Sequence, residues 1–453
     1  LCLSIFVSLV YTSSAESALQ WSFTFGSSEP EAAYSVIQTI DNGYAVVGYT
    51  YHSSGWCTLW IVKLDASGNK QWNQTLDDHA IESPYLLIQT SDGGYAIAGS
   101  NAYYSAGYND FKLFKTDSSG QVQWSKTYSG GGDERAYSIV QSSDEGYAMA
   151  GYTWSSSGSP TFWLVKVDSS GEEQWTQTYD YSDFSTGANC VIATNDGGYA
   201  LAGYVALAEG REDFRLVKTD ALGNLQWNQT YGGSDKDVAY SIVQTADGGY
   251  ALAGYSGIDN IRGDFYLVKT DSAGKVIWDR SYGDVYEELG AYSLVSLNDG
   301  GFALAGGLGL GDQMNAVRDF LLIRTDASGV QLWNQTYGGS SDDYATSMIK
   351  TNDGAYALLG PTESGKILLL KTEKLEINPI TTSPSTTNST PSSSLNPTQS
   401  PQETTSSPNS SSVPESSPSV PEFPNFTILV FLVICGITLL TTKWKLNKHV
   451  KNV

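Results

Sequence analysis

Two kinds of side chain recur in this sequence in patterns that could do chemistry. The first is acidic. Carboxylates come in groups about fifty residues apart: Glu29 and Glu31, Asp77 and Asp78, Asp133 and Glu134, Asp180 and Asp183, Asp235 and Asp237, Asp284 with Glu287 and Glu288, and Asp342 and Asp343. Gathered at one mouth, such groups offer oxygen ligands to a hard cation such as Ca²⁺, and a pair facing a sugar could hydrolyse it. Asp77, Asp78, Asp133, Glu134, Asp235, Asp237, Asp342 and Asp343 are therefore the candidate metal ligands, Ca²⁺ being the one ion considered and no other cofactor being expected. The plainer alternative is that these Asp side chains cap their own turns. The second kind is aromatic. Tyr103, Tyr104, Tyr108 and Trp154 fall in Ser- and Gly-rich segments, where exposed rings can stack on sugars or anchor a protein.

Catalytic signals are thin. Of the three histidines, His449 stands in the C-terminal tail, and His52 and His79 fall in the first repeat. No Ser-His-Asp spacing, phosphate-cradling glycine loop or metal-binding cluster stands out, so no catalytic residue is assigned.

A repeat must position these groups. Trp21, Trp72, Trp124, Trp175, Trp227, Trp278 and Trp333 stand 51, 52, 51, 52, 51 and 55 residues apart. A fixed period of this length marks a repeat architecture. In the unit around Trp227, Ala239–Thr245 (AYSIVQT) reads as a first strand, then a tight turn, ADGG, and a second strand Tyr250–Tyr255 (YALAGY). Asp213–Asp220 (DFRLVKTD) reads as a third strand, and after the turn ALGN, Leu225–Tyr231 (LQWNQTY) reads as a fourth. Short strands at this spacing predict an all-β fold. A four-stranded sheet that recurs this way buries both faces only by radial stacking, which predicts a β-propeller. The small YALAG residues suit the inner strands, and the large Trp and Tyr suit the wide outer rim.

Asp-x-Gly-aromatic hairpins begin at Asp41, Asp92, Asp144, Asp196, Asp247 and Asp299, and the variant Asp-Gly-Ala-Tyr at Asp353, one per unit in seven units. The last unit lacks a Trp-bearing fourth strand, while Leu19–Gly26 (LQWSFTFG) stands alone ahead of the first. The N-terminal strand is thus expected to complete blade seven and close the ring, which removes an open edge. Lys63, Lys115, Lys166, Lys218, Lys269, Arg324 and Lys371 recur two residues before each third-strand acid. They are expected to pair with the hairpin Asp set as solvated ion pairs. Sequons at Asn73, Asn228 and Asn334 fall at one place on the outer strand, and others begin at Asn388 and Asn409. These are candidate glycosylation sites.

The chain holds 48 acidic and 25 basic residues among 453, an anionic balance that argues against nucleic acid. Its four cysteines show no pairing or metal spacing. Residues 1–15 read as a signal peptide with a truncated start, and 19–375 as the propeller. Residues 376–424 hold ten of fourteen prolines amid Ser and Thr, and read as a disordered, O-glycosylated stalk. Residues 425–442 read as one transmembrane helix, and 443–453 as a basic cytoplasmic tail.

The D-x-x-G-x-x-x-W element, as in Asp220 through Trp227, resembles the blade signature of pyrroloquinoline-quinone-type propellers. That resemblance implies the fold over about 350 residues and not the cofactor, because the eight blades and adjacent cysteines of those dehydrogenases are not found here. A weaker likeness is to the Asp-box turn of sialidases, with a longer Asp-to-Trp spacing and no arginine trio. Pro421-Glu422-Phe423-Pro424, followed by an apolar span and a basic end, resembles the PEF-type sorting signal of archaeal surface proteins. It implies an archaeosortase as a processing partner. The expectation is a cell-surface-anchored, extracellular propeller that binds a protein or glycan through its variable-loop face, the one bearing the dissimilar loops between second and third strands. A secreted glycan-active hydrolase or lyase using mouth carboxylates is one alternative, and an envelope component without a discrete ligand is another.

Overall fold

The computed structural model describes residues 19–374, apart from 27–28, 54–56, 81–85, 103–108, 155–157, 182–183, 208–209, 258–262, 284–287, 311–316, 339–342 and 363–364. The signal segment, stalk, candidate membrane helix and tail, with Asn388 and Asn409, therefore lie outside the described residues. So do Tyr103, Tyr104, Tyr108 and Asp342. Among the described residues no helix is long and apolar enough to cross a membrane.

The described strands form seven four-stranded antiparallel sheets. Blades 1 to 6 occupy residues 31–80, 86–128, 135–179, 186–231, 236–282 and 288–337, and blade 7 occupies 347–372 together with 19–25. Blade 5 shows the pattern, running outward through Lys236–Gln244, Tyr250–Gly257, Gly263–Thr270 and Val276–Tyr282. The first strand of every blade touches the first strand of both neighbours, blade 7 meeting blade 1. The ring is closed.

Closure is the work of Leu19–Phe25, which pairs antiparallel with Ile367–Thr372, Trp21 opposite Lys371 and Phe23 opposite Leu369. The chain's first described strand thus covers the edge that its last strand would leave open.

Burial on both sheet faces explains the YALAG strand, which lies second from the axis, outside the AYSIV strand. On blade 5, Tyr250 and Leu252 pack against blade 4, while Ala251 and Ala253 turn toward blade 6. Alternation at period two thus places large residues in one junction and small ones in the next.

Each marker Trp bridges two blades. The Trp175 ring of blade 3 meets Tyr199 of blade 4 edge-on, with centroids 6.0 Å apart, and lies over Gly223 of the same blade. Tyr179 Oη donates to the Gly223 carbonyl at 2.7 Å. Gly223 has φ +76°, and a Cβ there would stand 2.6 Å from Trp175 Cζ3. Asp220 shapes this turn, its Oδ1 accepting the N–H groups of Leu222 and Asn224 at 2.9 and 2.8 Å. The D-x-x-G-x-x-x-W element is thus a turn pressed flat against the preceding blade's Trp. Gly223→Ala should cost about 2–4 kcal/mol in urea unfolding, from left-handed strain plus displacement of a packed ring. A loss below 0.5 kcal/mol would mean that the ring does not dock there.

The lysine pairs form as expected in all seven blades, but only their carboxylate halves are solvated. Lys218 Nζ reaches Asp196 at 2.8 Å and also donates to the Thr219 carbonyl at 2.7 Å and Gln226 Oε1 at 3.1 Å. Only 3% of Lys218 is exposed, so its amine is buried while the carboxylate remains half in water. Gly198 makes room, because a Cβ there would sit 2.9 Å from Nζ and 2.1 Å from the Thr219 carbonyl. Arg324 and Asp299 form the same contact with a guanidinium.

Candidate ligand-binding face

The first strand of each blade starts on the variable-loop side, and in five of the seven blades it carries a β-bulge near its start. Register shifts fall between Ala33 and Ser35, Ala136 and Ser138, Ala188 and Cys190, Ala239 and Ser241, and Ala291 and Ser293. The skipped residues are Tyr34, Tyr137, Asn189, Tyr240 and Tyr292, and Thr346 stands at the same place in blade 7. A bulge re-aims the inserted side chain. Here it turns them all into one axial cavity of roughly 760 Å³ counting its open mouth, where Tyr344 and Leu86 join them.

Three of the rings form an arc. Tyr240 and Tyr292 have centroids 4.9 Å apart, and Tyr292 and Tyr344 6.3 Å. On the other side, Tyr34 and Tyr49 share a hydroxyl contact of 2.7 Å, and Tyr49 and Tyr51 one of 2.9 Å. Burial, followed by the neighbouring Tyr34 and Tyr51, pushes the Tyr49 phenol well above its ordinary range, so it stays neutral. This chain of hydroxyls leads from the axis to Tyr51, the last residue of its strand before the loop.

Serines at the next position along these first strands join neighbouring blades. Ser138 Oγ accepts the Val191 N–H at 3.0 Å, Ser241 Oγ that of Leu294 at 3.2 Å, and Ser347 Oγ that of Val36 at 3.3 Å. The cavity is therefore a rigid cup of aromatic faces and neutral hydroxyls. Such a lining suits a hydrogen-bonding ligand with apolar patches, as a sugar or a peptide segment has.

Of the residues singled out from the sequence, Trp154 ends its strand on the loop side with 44% of its surface exposed. The described acids stand at separate places around the ring. Asp133 accepts the Asn109 N–H of blade 2 at 3.0 Å and the Tyr152 hydroxyl of blade 3 at 3.3 Å, so it ties two blades together rather than capping its own turn. Glu134, Asp237 and Asp343 are buried in three separate blade junctions, while Asp235 is half-buried. Asp77 and Asp78 lie in the long outer strand Lys70–Ala80. Among the described residues, no three His, Cys, Asp or Glu side chains gather in a metal-binding group. Asn73 and Asn334 are exposed on the outer strand, and Asn228 is half-buried.

The bulge tyrosines are absent from the sequence-based candidates, although the AYS tripeptide repeats at Tyr34, Tyr137, Tyr240 and Tyr292. Arg215 is absent too. It is fully buried, its guanidinium 5.1 Å from the rings of both Phe162 and Tyr181, and it donates to the Asp180 carbonyl at 3.1 Å. Burial lowers it to about 10, so it remains charged as a wedge between blades 3 and 4.

No family model matches the chain, and no curated protein matches it either. Among solved structures, the chain is similar to the BP39L lectin from Burkholderia pseudomallei, with 10% identity, 77% of this chain and 99% of the other covered, and a TM-score of 0.49. It is also similar to Sqt1 from Chaetomium thermophilum, at 10% identity, 79% and 100% coverage and a TM-score of 0.47. The Hadza microbial sialidase Hz136 matches at 13% identity, 72% and 73% coverage and a TM-score of 0.45. Likenesses this distant carry no argument about what this chain binds.

Proposed function

We propose that this propeller is a binding protein that takes an extracellular glycan or protein segment into its axial cup from the variable-loop side. The observation that carries this reading is the bulge repeated at one position, which spends a ladder hydrogen bond in blade after blade to aim tyrosines at a shared cavity. Binding is favoured over turnover. Hydrolysis needs carboxylates open to the substrate, whereas the described residues lining the cavity include none, and Glu134, Asp237 and Asp343 are buried in blade junctions. In the same reading the propeller is displayed at the cell surface. Signal segment 1–15, stalk 376–424, helix 425–442 and the PEF-like tetrapeptide 421–424 would provide export, reach, an anchor and a sorting signal, and Asn73, Asn228 and Asn334 would carry glycans on the outer rim. The pyrroloquinoline-quinone-type blade kinship belongs to this proposal as a statement of ancestry alone.

The test is a glycan and peptide array probed with the full chain and with Tyr240→Ala/Tyr292→Ala. The variant should fold, because both rings are partly open to the cavity, and should lose at least tenfold in affinity, as removal of two aromatic anchors implies. Equal binding by both proteins would move the site off the axis.

A further inference from the structure

The described lining of the axial cup includes no acid and no base. What it holds instead is neutral hydrogen-bonding capacity of both signs. Ser241 Oγ and Ser347 Oγ each accept a backbone N–H from the next blade, which leaves each hydroxyl its own hydrogen to donate. Thr346 Oγ1 works the other way. Its hydrogen is shared between the Ala33 and Leu359 carbonyls, both at 3.2 Å, and its lone pairs are left to accept.

Blade 4 departs from its neighbours at both positions that line the cup. Asn189 stands where blades 3 and 5 hold Tyr137 and Tyr240, and Cys190 stands where they hold Ser138 and Ser241. Asn189 Nδ2 donates to the Ala239 carbonyl of blade 5 at 2.8 Å, which fixes the orientation of the amide. Its Oδ1 has no donor, although the residue is only 6% exposed. A buried acceptor left unpaired is costly, so this position asks for a donor from outside the chain.

Charge decides between occupants. A uronic or sialic acid would bring a carboxylate among lining groups that include no cation, and a desolvated charge without a partner is expensive. The end of a peptide is charged as well, so a peptide could enter only as a loop. Its backbone also offers just one N–H and one C=O per residue. A sugar ring carries hydroxyls on most of its carbons, each both donor and acceptor, and a face of C–H groups that suits the arc of Tyr240, Tyr292 and Tyr344.

We propose that the cup is selective for an uncharged sugar, a neutral hexose or N-acetylhexosamine of a glycan. The sugar lays its face on the tyrosine arc, donates a hydroxyl to Asn189 Oδ1 and accepts from Ser241 and Ser347. The shorter Asn189 interrupts the run of tyrosines and sets which edge of the sugar faces blade 4. This selectivity rests on the axial cup being the binding site.

The test probes the full chain with short neutral oligosaccharides, each matched by the same oligomer oxidised to a uronic acid at C6, and with uncharged peptides. A neutral oligomer should bind, and its uronic partner should bind at least about tenfold more weakly. That contrast should persist at about 0.5 M salt, where the long-range repulsion of anions by a chain of formal net charge -23 is screened. Asn189→Tyr copies the neighbouring blades, so the backbone accepts it, and it should lose about tenfold toward the same oligomer. The proposal is overturned if no neutral oligomer binds, if a uronic oligomer binds as tightly as its partner, if a peptide binds in place of any glycan, or if Asn189→Tyr binds as the wild type does. Failure of the cup itself looks different, as glycan binding that Tyr240→Ala/Tyr292→Ala leaves unchanged.

Discussion

Removing residues 19–26 should abolish the cooperative unfolding of the propeller and leave a chain that self-associates. Trp21 meets Tyr44 of blade 1 edge-on at 5.2 Å and covers Gly68, and Phe25 meets Trp60 of that blade at 5.9 Å. Burial of one Trp and two Phe is worth on the order of 5–8 kcal/mol, comparable with the whole margin of a folded protein. The deletion also strips the partner from Ile367–Thr372, and a bare apolar edge invites pairing with another chain. Urea unfolding followed by circular dichroism, with light scattering alongside, reads both effects. A monomer with an unchanged midpoint would mean that the ring closes without its first strand.

Acid should unfold the propeller late and then steeply. Burial works to raise the hairpin carboxyls, but hydrogen bonds from the buried lysine, a threonine hydroxyl and a backbone N–H outweigh it. The result is about 2 for Asp41, Asp92, Asp196, Asp247 and Asp353. A carboxyl lower in the folded chain than in the unfolded one stabilises fully above the unfolded value near 3.8, and that contribution disappears as pH falls through about 2. The window is thus pH 4 to 2. Each carboxylate is about half exposed, so solvent screening reduces its share to about 1 kcal/mol, or about 5 kcal/mol over five blades. Burial raises Glu134, Asp213 and Asp237, and these work in the opposite sense. Their contribution is complete below the unfolded carboxylate range and is lost as pH rises through their folded values, so they add nothing to the acid loss. Melting temperatures at constant ionic strength should hold down to about pH 4 and drop sharply toward pH 2. A fall that begins near pH 6 would place the titrating groups elsewhere.

Blade count and closure were legible because the Trp spacing is nearly constant and one Trp strand stands alone at Trp21. The Lys–Asp pairs were legible because both partners recur in register. Their burial was not, since it depends on Gly198 and its counterparts letting the amine reach a carbonyl beneath the hairpin. The cup stayed hidden for a reason of phase. Strict alternation along Ala239, Tyr240 and Ser241 allots each residue to a sheet face, and an inserted residue at Tyr240 breaks that alternation without any Gly or Pro to announce it.

Calorimetric titration of the full chain with the tightest glycan or peptide from the array tests the axial cup most directly, because a cavity on the ring's axis can hold one ligand while loop sites can number several. The account predicts one ligand per chain and no measurable heat with Tyr240→Ala/Tyr292→Ala. Two or more equivalent sites, or a variant that binds as the wild type does, would contradict it.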